Sequence, residues 1–177
     1  MKEILHIQNL TSVIKGQYLF FDTSSLIAII NHPDLFEKLI ADLLHSGCTF
    51  STIPSVVFEF TRSDSLDTYD KRIRFIKTMG ISVYPIERHL NQFDAAKLVF
   101  QKINPRMSYT DFLLYLSLYK FSTAYLITEN HKDFLTSILD RKFIISIDTD
   151  IDMIRNLGFY QLSDEKYQKA AQSILRK

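Results

Sequence analysis

Tyr18-Leu19-Phe20-Phe21-Asp22-Thr23-Ser24-Ser25-Leu26-Ile27-Ala28-Ile29-Ile30 decides how the rest of the chain is read. It opens as a short apolar run, which suits a strand buried on both faces of a parallel sheet. The run breaks at Asp22 into small hydroxylated residues, then resumes as an apolar segment open to a helical reading. An acid at the carboxyl end of a central strand lies where open α/β sheets place their ligands.

The same alternation continues downstream. Pro33 and Asp34 open a helix with Leu35, Phe36, Leu39, Ile40, Leu43 and Leu44 at i, i+4, i+8 spacing, and Gly47 ends it. Cys48–Ile53 reads as a second strand, and Pro54 suits the first turn of the next helix, where its missing N–H costs nothing. Tyr69–Met79 is helical and closed by Gly80; Ile81–Ile86 alternates like a third strand. Helices over Glu87–Ile103 and Ser108–Phe121 follow, then strand Ala124–Thr128, a short helix Lys132–Asp140 and strand Phe143–Ile147. Helices Ile151–Leu157, ended by Gly158, and Ser163–Leu175 close the chain. The β-α-β order predicts right-handed crossovers and an α/β fold with a mainly parallel central sheet of about five strands.

Bulk properties narrow the function classes. The 177 residues suit one domain, with 46% hydrophobic and 23% charged residues. A net charge of +1 gives no global attraction to nucleic acid, so any such binding rests on a local patch. Cys48 is the only cysteine, which excludes an internal disulfide and a cysteine-based zinc site. No apolar run approaches the roughly 20 residues that span a bilayer. The first ten residues do not read as a signal peptide, so a soluble, cytoplasmic protein without membrane contact is expected.

In this topology the residues that follow parallel strands emerge along one sheet edge. Asp22 follows the first strand, and Asn130 to Asp133 follow the fourth. Glu59 lies five residues past Pro54, and Asp111 three residues past Ser108, both near a helix start. Carboxylates facing one cleft repel, by about 4 kcal/mol per pair at 4 Å and an effective dielectric of 20. Protonation or a divalent cation relieves this, and an all-oxygen donor set favours Mg²⁺ or Mn²⁺ over zinc. Such a centre activates water and stabilises a leaving oxygen in phosphodiester hydrolysis.

Each residue also has a purely structural role open to it. Asp22 suits a helix cap. Ser108-Tyr109-Thr110-Asp111 has the spacing of a capping box, with Asp where Glu or Gln is usual. Asn130 suits a turn, Asp133 a helix first turn, and His131 an exposed loop. Asp148, Asp150 and Asp152 have the look of a metal cluster, yet capping of the Ile151 helix explains two of them more simply.

The four segments together resemble the PIN-domain family. Phe21-Asp22-Thr23-Ser24 is similar to its first motif and Ile53-Pro54-Ser55-Val56-Val57-Phe58-Glu59-Phe60 to its second. Ser108-Tyr109-Thr110-Asp111 resembles the third, and Leu126-Ile127-Thr128-Glu129-Asn130-His131-Lys132-Asp133-Phe134 the fourth. The resemblance covers about residues 18–147 and implies a three-layer α/β/α nuclease domain. Residues 1–17 and 148–177 are left as extensions, the second helical and packed on the same domain. It further implies RNA cut by metal-activated water, with Asp22, Glu59 and Asp111 as ligands of Mg²⁺ or Mn²⁺ and Asn130 or Asp133 completing the set. Thr23, Ser24, Ser108 and Thr128 would support them; Arg62, Lys71, Arg72 and Arg74 are candidate phosphate contacts, although an ordinary solvated face explains them more simply. Many family members carry Asp where Asn130 stands, although Asn occurs among VapC-type toxins. An antitoxin partner and a homodimer follow from the same resemblance, as does the alternative of a non-catalytic RNA- or protein-binding module. A haloacid-dehalogenase-type phosphohydrolase fits poorly, because Ser24 stands where that family needs a second Asp.

Overall fold

The computed structural model describes residues 10–134, 136–149 and 153–175. The chain has an α/β fold around one six-stranded mixed sheet in the order β3-β2-β1-β4-β6-β5. Strands β1 (Tyr18–Phe21), β2 (Thr49–Thr52), β3 (Ser82–Val83) and β4 (Tyr125–Thr128) run parallel. Strands β5 (Leu139–Thr149) and β6 (Met153–Leu162) form an antiparallel pair, with β6 antiparallel to β4. The expected mainly parallel sheet of about five strands is therefore corrected: four parallel strands are extended by an antiparallel pair.

Besides helical residues 10–13, eight helical segments connect and flank these strands among the described elements. They are α1 (Thr23–Asn31), α2 (Pro33–His45), α3 (Pro54–Thr61), α4 (Leu66–Thr78), a 3₁₀ helix (Ile86–Gln92), α5 (Asp94–Ile103), α6 (Tyr109–Lys120) and α7 (Asp164–Leu175). Helix α1 packs on α2 and on α3, and α3 packs on α4, whereas α5 packs on α6 and α7. The right-handed crossover rule puts these two groups on opposite faces. Burial agrees, since Leu19, Phe20 and Phe21 of β1 and all of β4 are buried.

Local chemistry explains most boundaries. Pro33 and Pro54 occupy first turns, and Ser65 and Ser108 cap α4 and α6. Gly47 and Gly80 hold φ values of 77° and 63° beyond α2 and α4, a region in which a Cβ is strained. A single core joins these elements to Leu10, Ile14, Tyr167 and Ala171, so residues near both termini pack with the central sheet.

The differences lie mainly after β4. Lys132–Asp140 is not a helix; its described residues form turns that enter β5 at Leu139. Phe134, Ile138 and Leu139 mimic helical spacing, yet they bury their side chains from turns and a strand start. The expected helix Ile151–Leu157 is strand from Met153 onward, so 148–177 is no purely helical extension. Gly158 is not a helix stop but a mid-strand residue opposite Thr128 and Ile144. The strand predicted at Ile81–Ile86 shortens to Ser82–Val83, and the long helix after it splits at Phe93. Asp150 and Asp152 lie outside the described residues.

Candidate functional site

Asp22 leaves β1 and caps α1, with extended backbone at φ −86° and ψ 177°. Its carboxylate is buried and accepts from the Ser25 amide at 2.8 Å, from Ser24 Oγ at 2.9–3.0 Å and from Thr128 Oγ1 at 2.5 Å. The expected cap role is therefore real. The two hydroxyls go further: Ser24 Oγ accepts from the Glu129 amide at 3.0 Å, and Thr128 Oγ1 from the Asn130 amide at 2.8 Å. Two side chains thus tie the turn after β4 to the acid after β1. Burial raises the Asp22 pKa, and the bonds from Thr128, Ser25 and Ser24 oppose this.

Glu59 lies on α3, whose Val56 and Phe60 face the core while Glu59 itself is exposed. Its Oε2 accepts from Thr23 Oγ1 at 2.7 Å and its Oε1 from Thr110 Oγ1. Ser108 caps α6 as predicted, but Asp111 returns to the Ser108 hydroxyl rather than to its backbone N–H, so the capping box is only half formed. The Asp111 amide donates to Ser108 Oγ at 3.0 Å, and that hydroxyl donates to Asp111 Oδ2 at 2.6 Å. The Asn130 side-chain amide donates to Asp133 Oδ2.

Asp22, Thr23, Ser24, Glu59, Ser108, Asp111, Asn130 and Asp133 line one cleft of about 310 Å³, with Ile27, Thr110 and Leu114 completing its wall. Thr128 stands outside that lining and acts through Asp22. No lining residue carries a positive charge. Burial pushes the Asp111 pKa up to about 6, Ser108 opposes it, and the charges of Asp133, Asp22 and Glu59 add to the rise.

The donor set is therefore hard, oxygen-rich and short of a countercharge, which fits Mg²⁺ or Mn²⁺ in kind. It is not assembled as a coordination sphere. Among the described residues no group of three or more His, Cys, Asp or Glu side chains is arranged to hold a metal ion. Each carboxylate instead faces a hydroxyl, a backbone amide or the Asn130 side chain. Turning Glu59 away from Thr23 and Thr110 is one rearrangement that would free oxygens for an ion.

Thr110 was not apparent from the sequence, because its partner Glu59 is 51 positions away. His131 is half-buried rather than an exposed loop residue. Its Nε2 lies 3.2 Å from the Asn156 carbonyl and its Nδ1 2.8 Å from the Tyr160 hydroxyl. A carbonyl only accepts, so Nε2 carries a proton, and in a singly protonated ring Nδ1 accepts from Tyr160. Glu129 pairs with Arg155 at 3.2 Å. Among the proposed phosphate contacts, Arg72 is instead structural: it donates to the Phe60 and Arg62 carbonyls at 2.8 and 3.0 Å and covers the Phe60 ring.

The raised pKa of Asp111 makes its stabilising contribution complete below its ordinary value of 3.8 and lost as pH rises through about 6. Thermal melts of metal-free protein should therefore show a gain between neutral pH and about 4 that is smaller in Asp111→Asn. An identical gain in the variant would remove Asp111 as its source. Thr128→Val takes away the hydroxyl that serves both Asp22 and the Asn130 amide. A loss of about 1–3 kcal/mol in urea unfolding is expected, and wild-type stability would show that water replaces the hydroxyl without penalty.

No helix among the described residues is long and apolar enough to cross a membrane. A scan against protein-family models matches no family, and comparisons with curated proteins and with solved structures find no match to this chain.

Proposed function

We propose that this cleft hydrolyses RNA phosphodiester bonds with the help of Mg²⁺ or Mn²⁺, in the manner of a PIN-domain ribonuclease. One observation carries the reading: acids from four separate segments line a single cleft without a cationic partner. Asp22, Glu59 and Asp111 would hold the ion, with Asn130 or Asp133 completing the set. Thr23, Ser24, Ser108 and Thr128 orient those side chains. When bound, the ion polarises the phosphodiester and lowers the pKa of water. The protein itself fixes the carboxylates and, through the Asp22 network, the turn that bears Asn130. A toxin restrained by an antitoxin over the cleft, active in the cytoplasm and built as a homodimer, is the wider form of this proposal.

The antiparallel β5–β6 pair departs from the parallel sheet that the resemblance implies, so the proposal rests on the cleft rather than on the whole topology. A second reading, a non-catalytic RNA- or protein-binding module, draws support from the carboxylates' existing hydrogen bonds and from the neutral Asn130. Incubating purified protein with a mixed panel of labelled RNAs in Mg²⁺ or Mn²⁺, with EDTA as control, separates the two. Cleavage abolished by EDTA supports the enzyme. Intact RNA together with no Mn²⁺ uptake in calorimetry favours the module.

A further inference from the structure

A second cavity, of about 440 Å³, adjoins the acidic cleft and shares Ser108 with it. Its walls differ in character. Tyr109, Phe112, Met107 and Pro105 present rings and a thioether, while Asn104 and Gln101 present amides. The segment arises because Pro105 follows the end of α5 and Ser108 caps α6, which leaves a short turn between two helices.

Tyr109 is the unusual member. It is 59% exposed at the first position of α6, flanked by Ser108 on one side and Thr110 and Asp111 on the other. Its ring meets Phe112 at 6.5 Å between centroids, and its hydroxyl makes no hydrogen bond among the described residues. Neither burial nor polar pairing accounts for an aromatic residue here. Arg106, between the lining residues Pro105 and Met107, is exposed and makes no ion pair among the described residues.

We infer that the cavity formed by Asn104, Met107, Tyr109 and Phe112 beside Ser108 is a subsite for an unpaired nucleobase next to the phosphate held in the acidic cleft. This rests on the phosphodiesterase reading of that cleft. A base plane stacks on an aromatic side chain irrespective of its identity, and amides read its edge. The Arg106 guanidinium supplies the positive charge that the acidic cleft lacks, and meets the adjoining phosphate without reading sequence. Duplex RNA keeps its bases stacked on one another, so the subsite selects single strands.

Fluorescence anisotropy with short labelled oligoadenylate, oligouridylate and oligocytidylate tests this with Ca²⁺ neutralising the acidic cleft and a gel confirming that the RNA stays intact. Wild-type protein should bind these single strands more tightly than a duplex of the same length. Tyr109→Ala should weaken binding roughly 10- to 100-fold, the loss of one stacked base, while Tyr109→Phe retains it. Circular dichroism of the same variants checks that α6 is intact. Equal affinity of wild type and Tyr109→Ala, equal binding of duplex, or no binding by wild type would overturn the subsite. Failure of the hydrolytic reading looks different: single-strand binding that depends on Tyr109, with no cleavage in Mg²⁺ or Mn²⁺.

Discussion

Asp22→Asn should abolish Mn²⁺ binding and lower RNA cleavage by at least about 100-fold, since even groups that only support a metal ligand cost 10- to 100-fold. The same substitution should leave the fold intact. Asn caps a helix about as well as Asp, and its side-chain carbonyl can still accept from the Ser25 amide. Its amide can donate to Thr128, whose hydroxyl rotates to accept. Burial disfavours the charged form of Asp22, so stability from this group is present at low pH and lost as pH rises through its raised pKa. A neutral side chain escapes that loss, and Asp22→Asn should melt at or above the wild-type temperature at neutral pH. Loss of activity with gain of stability marks a residue kept for function. A variant that cleaves normally would remove Asp22 from the site. One that is inactive and markedly destabilised would make it a structural cap.

Gly158→Ala should be the most damaging conservative change in the sheet. A Cβ at that position would lie 2.6 Å from Tyr160 Cε2 and 2.8 Å from His131 Cε1. The Tyr160 ring has no room to retreat cheaply. Tyr160 is fully buried, and the two rings are joined by the bond between the Tyr160 hydroxyl and His131 Nδ1. Overpacking of this kind costs about 1–3 kcal/mol, which for a chain of this size lowers the melting temperature by about 2–4 °C per kcal/mol. Because His131 follows Asn130 directly, the displacement also reaches the turn that lines the cleft. A double variant, Gly158→Ala with His131→Ala, should recover part of the loss. Additive losses would show that the two positions do not couple, and an unchanged melting temperature in the single variant would remove the clash altogether.

These residues also show what the sequence could convey. The strand before Asp22, the proline-led start of α3 and the serine cap of α6 are local signals, each readable within a few positions. They sufficed to bring Asp22, Glu59, Asp111, Asn130 and Asp133 to one cleft. The C-terminal third follows a different logic. Whether Met153–Leu162 is strand or helix depends on β4 and β5, neither of which its own periodicity encodes. Gly158 is required by residues 131 and 160, so alone it looks like a helix stop. The hydroxyl partners of Glu59 are likewise fixed by tertiary distance, from Thr23 at 36 positions to Thr110 at 51.

The bond from Thr128 to Asp22 joins positions 106 apart. Closing so long a loop belongs to the slow, non-local part of folding. Until β4 docks beside β1, the carboxylate at position 22 remains hydrated, with an ordinary acidity and no turn anchored to it. A chain under synthesis therefore passes through most of its length before the cleft exists. Completion of the sheet acts as a built-in delay: nothing that recognises the finished cleft can engage the chain before β4 is in place.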